Sequence, residues 1–545
     1  MSAPSLENRV LSQQLLDAAE THSDAPFLTF GAVTTTFGEF DQIATRVASG
    51  LMTTNLARHG KLAIFARNSL EFVAFWFGCA RIGALYVPIN TDYKGAILQH
   101  QLTHAEVTHI LIDPEFLDAL ADVIADLPLL KHVIVTGSAE LPTVVTAQAT
   151  VHFSSDLMCE SARTISFMPR YSDGLAISFT SGTTGPSKGV LVDNAHVVAF
   201  ALDWMRYLNF QPHERIYTPL PLFHAIGAWL GVVPSLINRS HITISPRFSA
   251  SNYWNDVRAA RADVAHGIFS MIPILMKQPE RPEDASQPAR AFYVGNQNPA
   301  FEERFKCRIV EVYGATETGI VAGTDYGAER VRHSCGKPNA ETFEVAVMDE
   351  HDQIVPAGIS GEIVVRPKRS FSMLREYYRN PEATIATFRN LWFHTGDNGR
   401  FDTEGNLFFI DRKKDTIRKR GENISSYELE FAVNQHPAIL ESAAVAVTSE
   451  LGEDDVKMVV VLKEGATLSA PDFWLFCEEK LPRFWIPTLL EFRTELPKTG
   501  NHKVQKFLLK KFAGASLSYV RDARTGEIRT FVPAEMAGSS QTEAR

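Results

Sequence analysis

The run Thr180 to Gly189 reads TSGTTGPSKG. It holds four hydroxyls (Thr180, Ser181, Thr183, Thr184), three glycines (Gly182, Gly185, Gly189), one proline and Lys188. Hydroxyls and free backbone N–H groups are phosphate ligands, and glycines let the main chain close around an anion as a nest. Lys188 adds a point charge for a terminal phosphate. Gly174 to Phe179 reads as a buried strand before the loop, and Val190-Leu191-Val192 is apolar after it. A polar, glycine-rich loop between apolar strands suits a nucleoside triphosphate. It is not a Walker loop. Counted from Gly182, that pattern needs glycine at 187 and Ser or Thr at 189, where the chain has Ser187 and Gly189. On its own, the run is equally compatible with a flexible Ser/Thr/Gly surface turn.

Working outward, residues from about 10 to 170 alternate helical and strand patterns. Leu11 to Ala19 and Phe40 to Leu51 carry apolar residues at helical spacing, while Leu62 to Phe65 and Thr108 to Ile112 read as buried strands. A second α/β run covers about 171 to 330. Phe343 to Val347 and Gly361 to Val365 have the rhythm of a small antiparallel β unit. The basic run DRKKDTIRKRG, Asp411 to Gly421, precedes a helix at Ser426 to His436, strands at Ser442 to Val447 and Val456 to Leu462, and a helix at Pro471 to Lys480. The expected fold is therefore α/β. A large N-terminal domain, 1–410, consists of two α/β layered subdomains plus the small β unit. A joint at 411–415 leads to a small α+β domain, 416–513. Beyond 514, Tyr519-Val520-Arg521 and Ile528 to Phe531 flank a turn and suggest a hairpin, with 537–545 read as disordered.

The chain has 545 residues, 45% of them apolar and 21% charged, with a net charge of −10. That length implies more than one core, and the charge gives no reason to expect nucleic acid as a partner. Five scattered cysteines form no CxxC pair, which fits a reducing cytosol and argues against structural zinc. MSAPSLENRV lacks the pattern of a secretory signal. The longest apolar run, Phe72 to Ala80, is far too short to span a membrane. A cytoplasmic protein is expected, with its oligomeric state open and a homo-oligomer included.

Four further clusters fit a nucleotide site. In EVYGATETG, Glu311 to Gly319, Tyr313 offers a flat face for a purine, Thr316 a hydroxyl, and Glu317 a carboxylate for magnesium. The alternative is a strand-to-helix turn with a capping threonine. In FHTGDNGRFD, Asp397 between glycines is placed to accept from ribose hydroxyls, or to form an Asx-turn. Six of the nine residues 412–420 are Arg or Lys, either a solvated patch or a phosphate-binding joint. In LPKTGNHKVQKFLLKKF, Lys503 sits in a polar turn ahead of a basic amphipathic helix.

TSGTTGPSKG, YGATETG, HTGD, DRKKDTIRKRGENISSYELE and PKTGNHK occur in the order and approximate spacing of the AMP-forming adenylating enzymes, and the chain resembles them over about residues 10 to 512. These are the acyl-CoA synthetases, peptide-synthetase adenylation domains and firefly-type luciferases. The closest likeness is to bacterial acyl-CoA synthetases of the crotonobetaine/carnitine-CoA ligase group.

The resemblance implies an ATP-dependent acid–thiol ligase. A carboxylate attacks the α-phosphate of ATP, giving an acyl-adenylate and pyrophosphate, and CoA then displaces AMP. It implies that Thr180, Ser181, Gly182, Thr183, Thr184, Gly185 and Lys188 hold the β- and γ-phosphates. Tyr313 stacks on adenine, with Gly314, Gly295, Asn296 and Gln297 beside it. Thr316 touches the α-phosphate, and Glu317 with Thr184 binds magnesium. Asp397 and Arg412 take the ribose hydroxyls. Lys503 bridges the α-phosphate and the attacking carboxylate. Lys414 is the hinge about which the small domain turns between half-reactions, and Arg420 and Gly421 then face CoA. Two positions depart from the pattern: His502 stands where glycine usually precedes the lysine, and Arg420 where some relatives have a second glycine.

Phe223-His224 stands where amino-acid adenylation domains often have Phe-Asp, an aspartate that would pair with a substrate ammonium group. His224 provides no fixed negative charge, which argues against an α-amino acid. A packed core histidine is the alternative. The apolar stretches Ile226 to Val232 and Ile268 to Leu275, with His224 and Gly314, suggest an apolar acyl pocket for fatty, aromatic, alicyclic or steroid-type acids. No carrier-protein segment follows Lys503, so free CoA is the expected acceptor. A separate carrier protein, or luciferase-like use of the adenylate, is the alternative.

Overall fold

The structure is a computed structural model. It describes residues 4–137, 140–158, 161, 165, 167–180, 187–268, 271–293, 297–412, 417–419, 422–424, 426–448, 454–481, 485–498, 504–511, 517–522 and 525–531. The chain forms two compact units. One comprises Met1–Ala346, Val364–Phe393 and Asp402–Leu407, the other Val347–Ile363, His394–Phe401 and Phe408–Arg545. The chain thus alternates between them within the region read as a small β unit.

The larger unit is built on two sheets. An eight-stranded sheet runs in the order Glu376–Tyr377, Lys188–Asp193, Gly174–Thr180, Leu85–Pro88, Lys61–Phe65, His109–Ile112, His132–Val135, Thr150–Phe153. A seven-stranded sheet runs Arg308–Val310, Ala291–Tyr293, Val264–His266, Ile216–Thr218, Ile242–Ile244, Pro26–Phe30, Val33–Thr36. Both are mainly parallel, as α/β alternation requires. The two sheets do not coincide with the two runs read in the sequence. Pro26–Phe30 pairs with Ile242–Ile244, and Gly174–Thr180 pairs with Leu85–Pro88.

Local chemistry sets the helices. Thr36 and Glu39 form a reciprocal capping box at the start of helix Phe37–Thr53. Helix Leu70–Ile82 is buried on every side from Phe72 onward, so its long apolar run belongs to the core. Gly83 closes it in the left-handed conformation. Cys79, Cys307 and Cys477 are buried free thiols, and Cys335 is buried as well. Among the described residues, no helix is long and apolar enough to cross a membrane.

The smaller unit carries a five-stranded sheet in the order Ile439–Thr448, Asp454–Leu462, Leu489–Arg493, Leu517–Arg521, Ile528–Phe531. Helices Ser426–Val433 and Ala470–Lys480 accompany it. The hairpin Leu517–Phe531 is present, and its first strand pairs antiparallel with Leu489–Arg493. The sheet therefore continues past residue 513, because the tail's alternating residues find a partner edge. The helix after Lys503 is a single turn, Lys506–Leu509, not a longer amphipathic segment.

A charge cluster lies inside this unit. Lys457 Nζ is 2.6 Å from Glu491 Oε2, both side chains are 0% exposed, and Arg493 Nε reaches Glu491 Oε1 at 2.6 Å. Lys457 also donates to the Leu509 carbonyl at 2.9 Å. Burial holds its ammonium below the usual lysine value, opposed by the Glu491 carboxylate.

Candidate active site

The segment read as a phosphate loop connects an antiparallel strand pair. Gly174–Thr180 pairs with Lys188–Asp193, in register from Ala176 to Thr180, with Thr180 opposite Lys188. Both ends of the loop therefore open at one place. Helix Gly95–His104 holds the outgoing end: His100 Nε2 donates to the Ser187 carbonyl at 3.1 Å, and Gln101 Nε2 to Ser187 Oγ at 3.1 Å. Ser181, Gly182, Thr183, Thr184 and Gly185 lie outside the described residues.

EVYGATETG is a hairpin, not a strand-to-helix turn. Val312–Ala315 pairs with Gly319–Gly323, closing at Ala315 opposite Gly319. The glycines make this turn sterically feasible. A Cβ on Gly314 would lie 2.1 Å from the Gly319 carbonyl oxygen, and Gly319 has φ +70. Thr318 Oγ1 accepts the Ala315 N–H at 3.2 Å, so the threonine that caps this turn is Thr318. Thr316 and Glu317 stand at the tip.

The tip is pinned from three directions. His196, fully buried on helix Asn194–Leu208, donates from Nε2 to the Thr316 carbonyl at 3.0 Å. The Leu374 N–H donates to the Glu317 carbonyl at 2.7 Å. The Glu317 carboxylate receives Thr180 Oγ1 at 3.2 Å and the Tyr377 hydroxyl at 3.3 Å, both on Oε1. Lys188 Nζ lies 4.8 Å from the Tyr377 ring centroid. Thr180, Lys188 and Glu317, singled out from two distant motifs, thus meet around Tyr377. Sequence reasoning missed Tyr377. Its only signal is a pair of adjacent tyrosines ahead of Asn380-Pro381, with none of the glycines or hydroxyls that mark a phosphate loop.

One carboxylate beside a hydroxyl suits magnesium, which keeps several waters and takes its remaining ligands from phosphates. Among the described residues no group of three or more His, Cys, Asp or Glu could form a protein-only metal cage. The residues present therefore fit a metal carried in with a nucleotide.

Tyr313 is half-buried on its strand and packs partly on the main core. Gln297 Nε2 donates to the Val331 carbonyl at 3.2 Å, and Asn298 caps helix Pro299–Phe305 through the Phe301 N–H at 3.0 Å. Gly295 and Asn296 lie outside the described residues. Burial pushes the Glu311 carboxyl up to about 7, against the pull of the Gln297 backbone N–H and the Arg330 charge. Its folded value lies above the ordinary 4.5. The stability it contributes is therefore complete below 4.5 and lost as pH rises through 7. Glu311→Gln is expected to stabilise the protein by ~2–3 kcal/mol at pH 8 and by almost nothing at pH 4. Urea unfolding at the two pH values measures this, and an equal effect at both would contradict it.

His224 is half-buried and precedes the short helix Ala225–Gly227, with its carbonyl accepting the Ala228 N–H at 3.0 Å. The chain then enters a π-helical turn, Ala228–Val232, that is wholly buried. Such turns recur at functional sites. Ile226 touches two of the unit's apolar clusters, one containing Trp229 and the other Met271, Ile272 and Leu275. The two apolar stretches thus adjoin through Ile226.

In the smaller unit, Asp397 is buried within strand Phe393–Phe401 just after Gly396, which has φ +72. The local turn is made by Thr395, whose Oγ1 accepts the Asp397 N–H at 3.1 Å. Glu362 fixes the bend from behind, accepting the Gly396 N–H at 3.1 Å and contacting His394 Nδ1 at 3.1 Å. Arg412 ends strand Leu407–Arg412, and its neighbour Asp411 accepts from the Ser426 N–H at 2.6 Å. Lys414, Arg420, Gly421 and Lys503 lie outside the described residues. Close to Lys503, Lys498 bridges to Val504. Lys506 pairs with Glu430 at 2.9 Å.

The sequence profile of the AMP-binding enzyme family matches residues 15–378, and that of the AMP-binding enzyme C-terminal domain matches residues 428–503. A crotonobetaine/carnitine–CoA ligase of Salmonella paratyphi A is 31% identical over 517 residues, covering 92% of this chain and 98% of the relative. ATP-bound MatB from Rhodopseudomonas palustris is similar in structure, with a TM-score of 0.81, 25% identity, and 92% and 98% of the two chains covered. The anthranilate CoA ligase AuaEII in complex with anthranoyl-AMP shares the fold, with a TM-score of 0.84 at 22% identity and coverage of 94% and 98%. The chain belongs to the AMP-binding enzyme family.

Proposed function

We propose that this chain is an AMP-forming acyl-CoA synthetase that activates an organic acid with ATP and transfers it to CoA. The observation that carries this reading is the meeting of Thr180, Lys188 and Glu317 at one point, in a chain of this family. That set offers what a magnesium-bound triphosphate needs: a carboxylate, a hydroxyl and an ammonium group. Magnesium bound there would draw charge off the phosphates.

The reaction has two displacements. The acid's carboxylate oxygen attacks the α-phosphorus, and the bond to pyrophosphate breaks. The thiol sulfur of CoA then attacks the acyl carbon, and AMP leaves with the bonding pair. A carboxylate alone has no acceptable leaving group, and adenylation supplies one. We assign the β- and γ-phosphates to the Thr180–Lys188 loop, adenine to Tyr313, the α-phosphate to Thr316, the metal to Glu317 and the ribose hydroxyls to Asp397 and Arg412. Lys503 neutralises charge on the attacked phosphate. The acid has an apolar body and no α-ammonium group, because His224 offers no fixed anion and Ile226 leads into apolar surroundings. The buried thiols of Cys79, Cys307 and Cys477 suit a reducing, cytoplasmic setting.

A panel of carboxylic acids assayed for pyrophosphate release, with and without CoA, tests the proposal. An active acid is expected to release pyrophosphate and, with CoA, to yield acyl-CoA and AMP. Production of ADP would overturn it. Pyrophosphate exchange with no thioester formed on CoA would favour a carrier-loading adenylation enzyme.

A further inference from the structure

We propose that Tyr377 is a positioning residue for the adenylating step, registering the metal-binding carboxylate and the phosphate-binding ammonium group to each other. The inference rests on the reading of this site as one that binds magnesium and ATP. Tyr377 is 6% exposed, so its 3.3 Å contact with Glu317 is made away from bulk water, where a hydrogen bond counts for more. A carboxylate only accepts, so the phenol donates. Both hydroxyls on Glu317 act on the same oxygen, Oε1, which leaves Oε2 outside this pair of bonds. The ring meanwhile attracts the Lys188 ammonium group at 4.8 Å. One side chain therefore sets a cation and an anion at a fixed spacing without carrying charge itself.

The backbone makes this placement rigid. Strand Glu376–Tyr377 pairs with Lys188–Asp193, Tyr377 opposite Val190. Three residues earlier, the Leu374 N–H holds the Glu317 carbonyl. Residues 374–377 thus bind both the outgoing strand of the phosphate loop and the tip of the Glu317 hairpin. The neighbouring Tyr378 points elsewhere, its hydroxyl donating to Glu106 at 2.7 Å.

The test uses the full chain. Tyr377→Phe keeps the ring over Lys188 and removes only the hydroxyl; Tyr377→Leu removes both. Three quantities are measured: ATP affinity by calorimetry with and without Mg2+, the Mg2+ dependence of pyrophosphate release, and thioester formation from a supplied acyl-adenylate. Tyr377→Phe is expected to weaken ATP binding in Mg2+ by about tenfold, as befits a lost hydrogen bond to a charged group. Its affinity without Mg2+ and its thioester formation should be unchanged. Tyr377→Leu should also weaken binding without Mg2+. Should Tyr377→Phe not fold, Tyr377→Leu decides alone: its loss of ATP affinity must be larger with Mg2+ than without. Equal losses with and without Mg2+, or none, overturn the positioning role. If the unaltered protein shows no Mg2+-enhanced ATP binding, the functional reading itself fails, and this proposal with it.

Discussion

Lys503→Ala is expected to cut adenylate formation by about 100- to 1000-fold while leaving thioester formation from a supplied acyl-adenylate within a few-fold of the unaltered enzyme. Negative charge builds between the incoming carboxylate and the α-phosphate, and a placed ammonium group stabilises that charge more than it stabilises the ground state. The second displacement needs no such group, since the leaving AMP is already an adequate departing anion. Lys506, three residues on, is a useful contrast. Its ammonium is committed to Glu430 and to Ser426 Oγ inside the smaller unit, so its loss should act on stability first. Pyrophosphate exchange and single-turnover thioester formation, measured separately, decide the matter. Equal loss of both halves would overturn the role given to Lys503.

Lys457→Met is expected to destabilise the smaller unit by ~3–5 kcal/mol, because it removes one of the two cations that hold the buried Glu491. Arg493 still reaches Glu491, but on the other oxygen. Lys457 also holds the Leu509 and Lys511 carbonyls, which lose a buried donor. The double change Lys457→Met with Glu491→Leu should recover much of the loss, since two apolar side chains can replace a buried pair at little cost. Urea unfolding monitored in the smaller unit, where Trp474 is buried, provides the measurement. A single variant as stable as the parent would show that water already reaches the pair.

The strands on either side of residues 181–187 were legible because apolar runs interrupted by glycine and hydroxyl residues mark strand ends. Glu317 stood out as a carboxylate among threonines and glycines, a pattern that a capped turn also accounts for. Tyr377 did not, because a tyrosine announces no chemistry until its neighbours in space are known. Sheet membership was also hidden. Leu28 and Ile242 are partners across more than two hundred residues, and no periodicity encodes that. The hairpin at Leu517–Phe531 was visible as a pattern, yet its union with the sheet depends on an open edge at Leu489–Arg493.

The exchange of strands between the two α/β runs governs how the chain emerges from the ribosome. Pro26–Phe30 must wait for Ile242–Ile244 before its parallel neighbour exists, and Leu85–Pro88 must wait for Gly174–Thr180. Neither sheet can be completed from the first 170 residues alone. A nascent chain stalled there would expose unpaired strand edges and invite chaperones, and that vulnerable interval closes only once the strands up to Arg308–Val310 have been made.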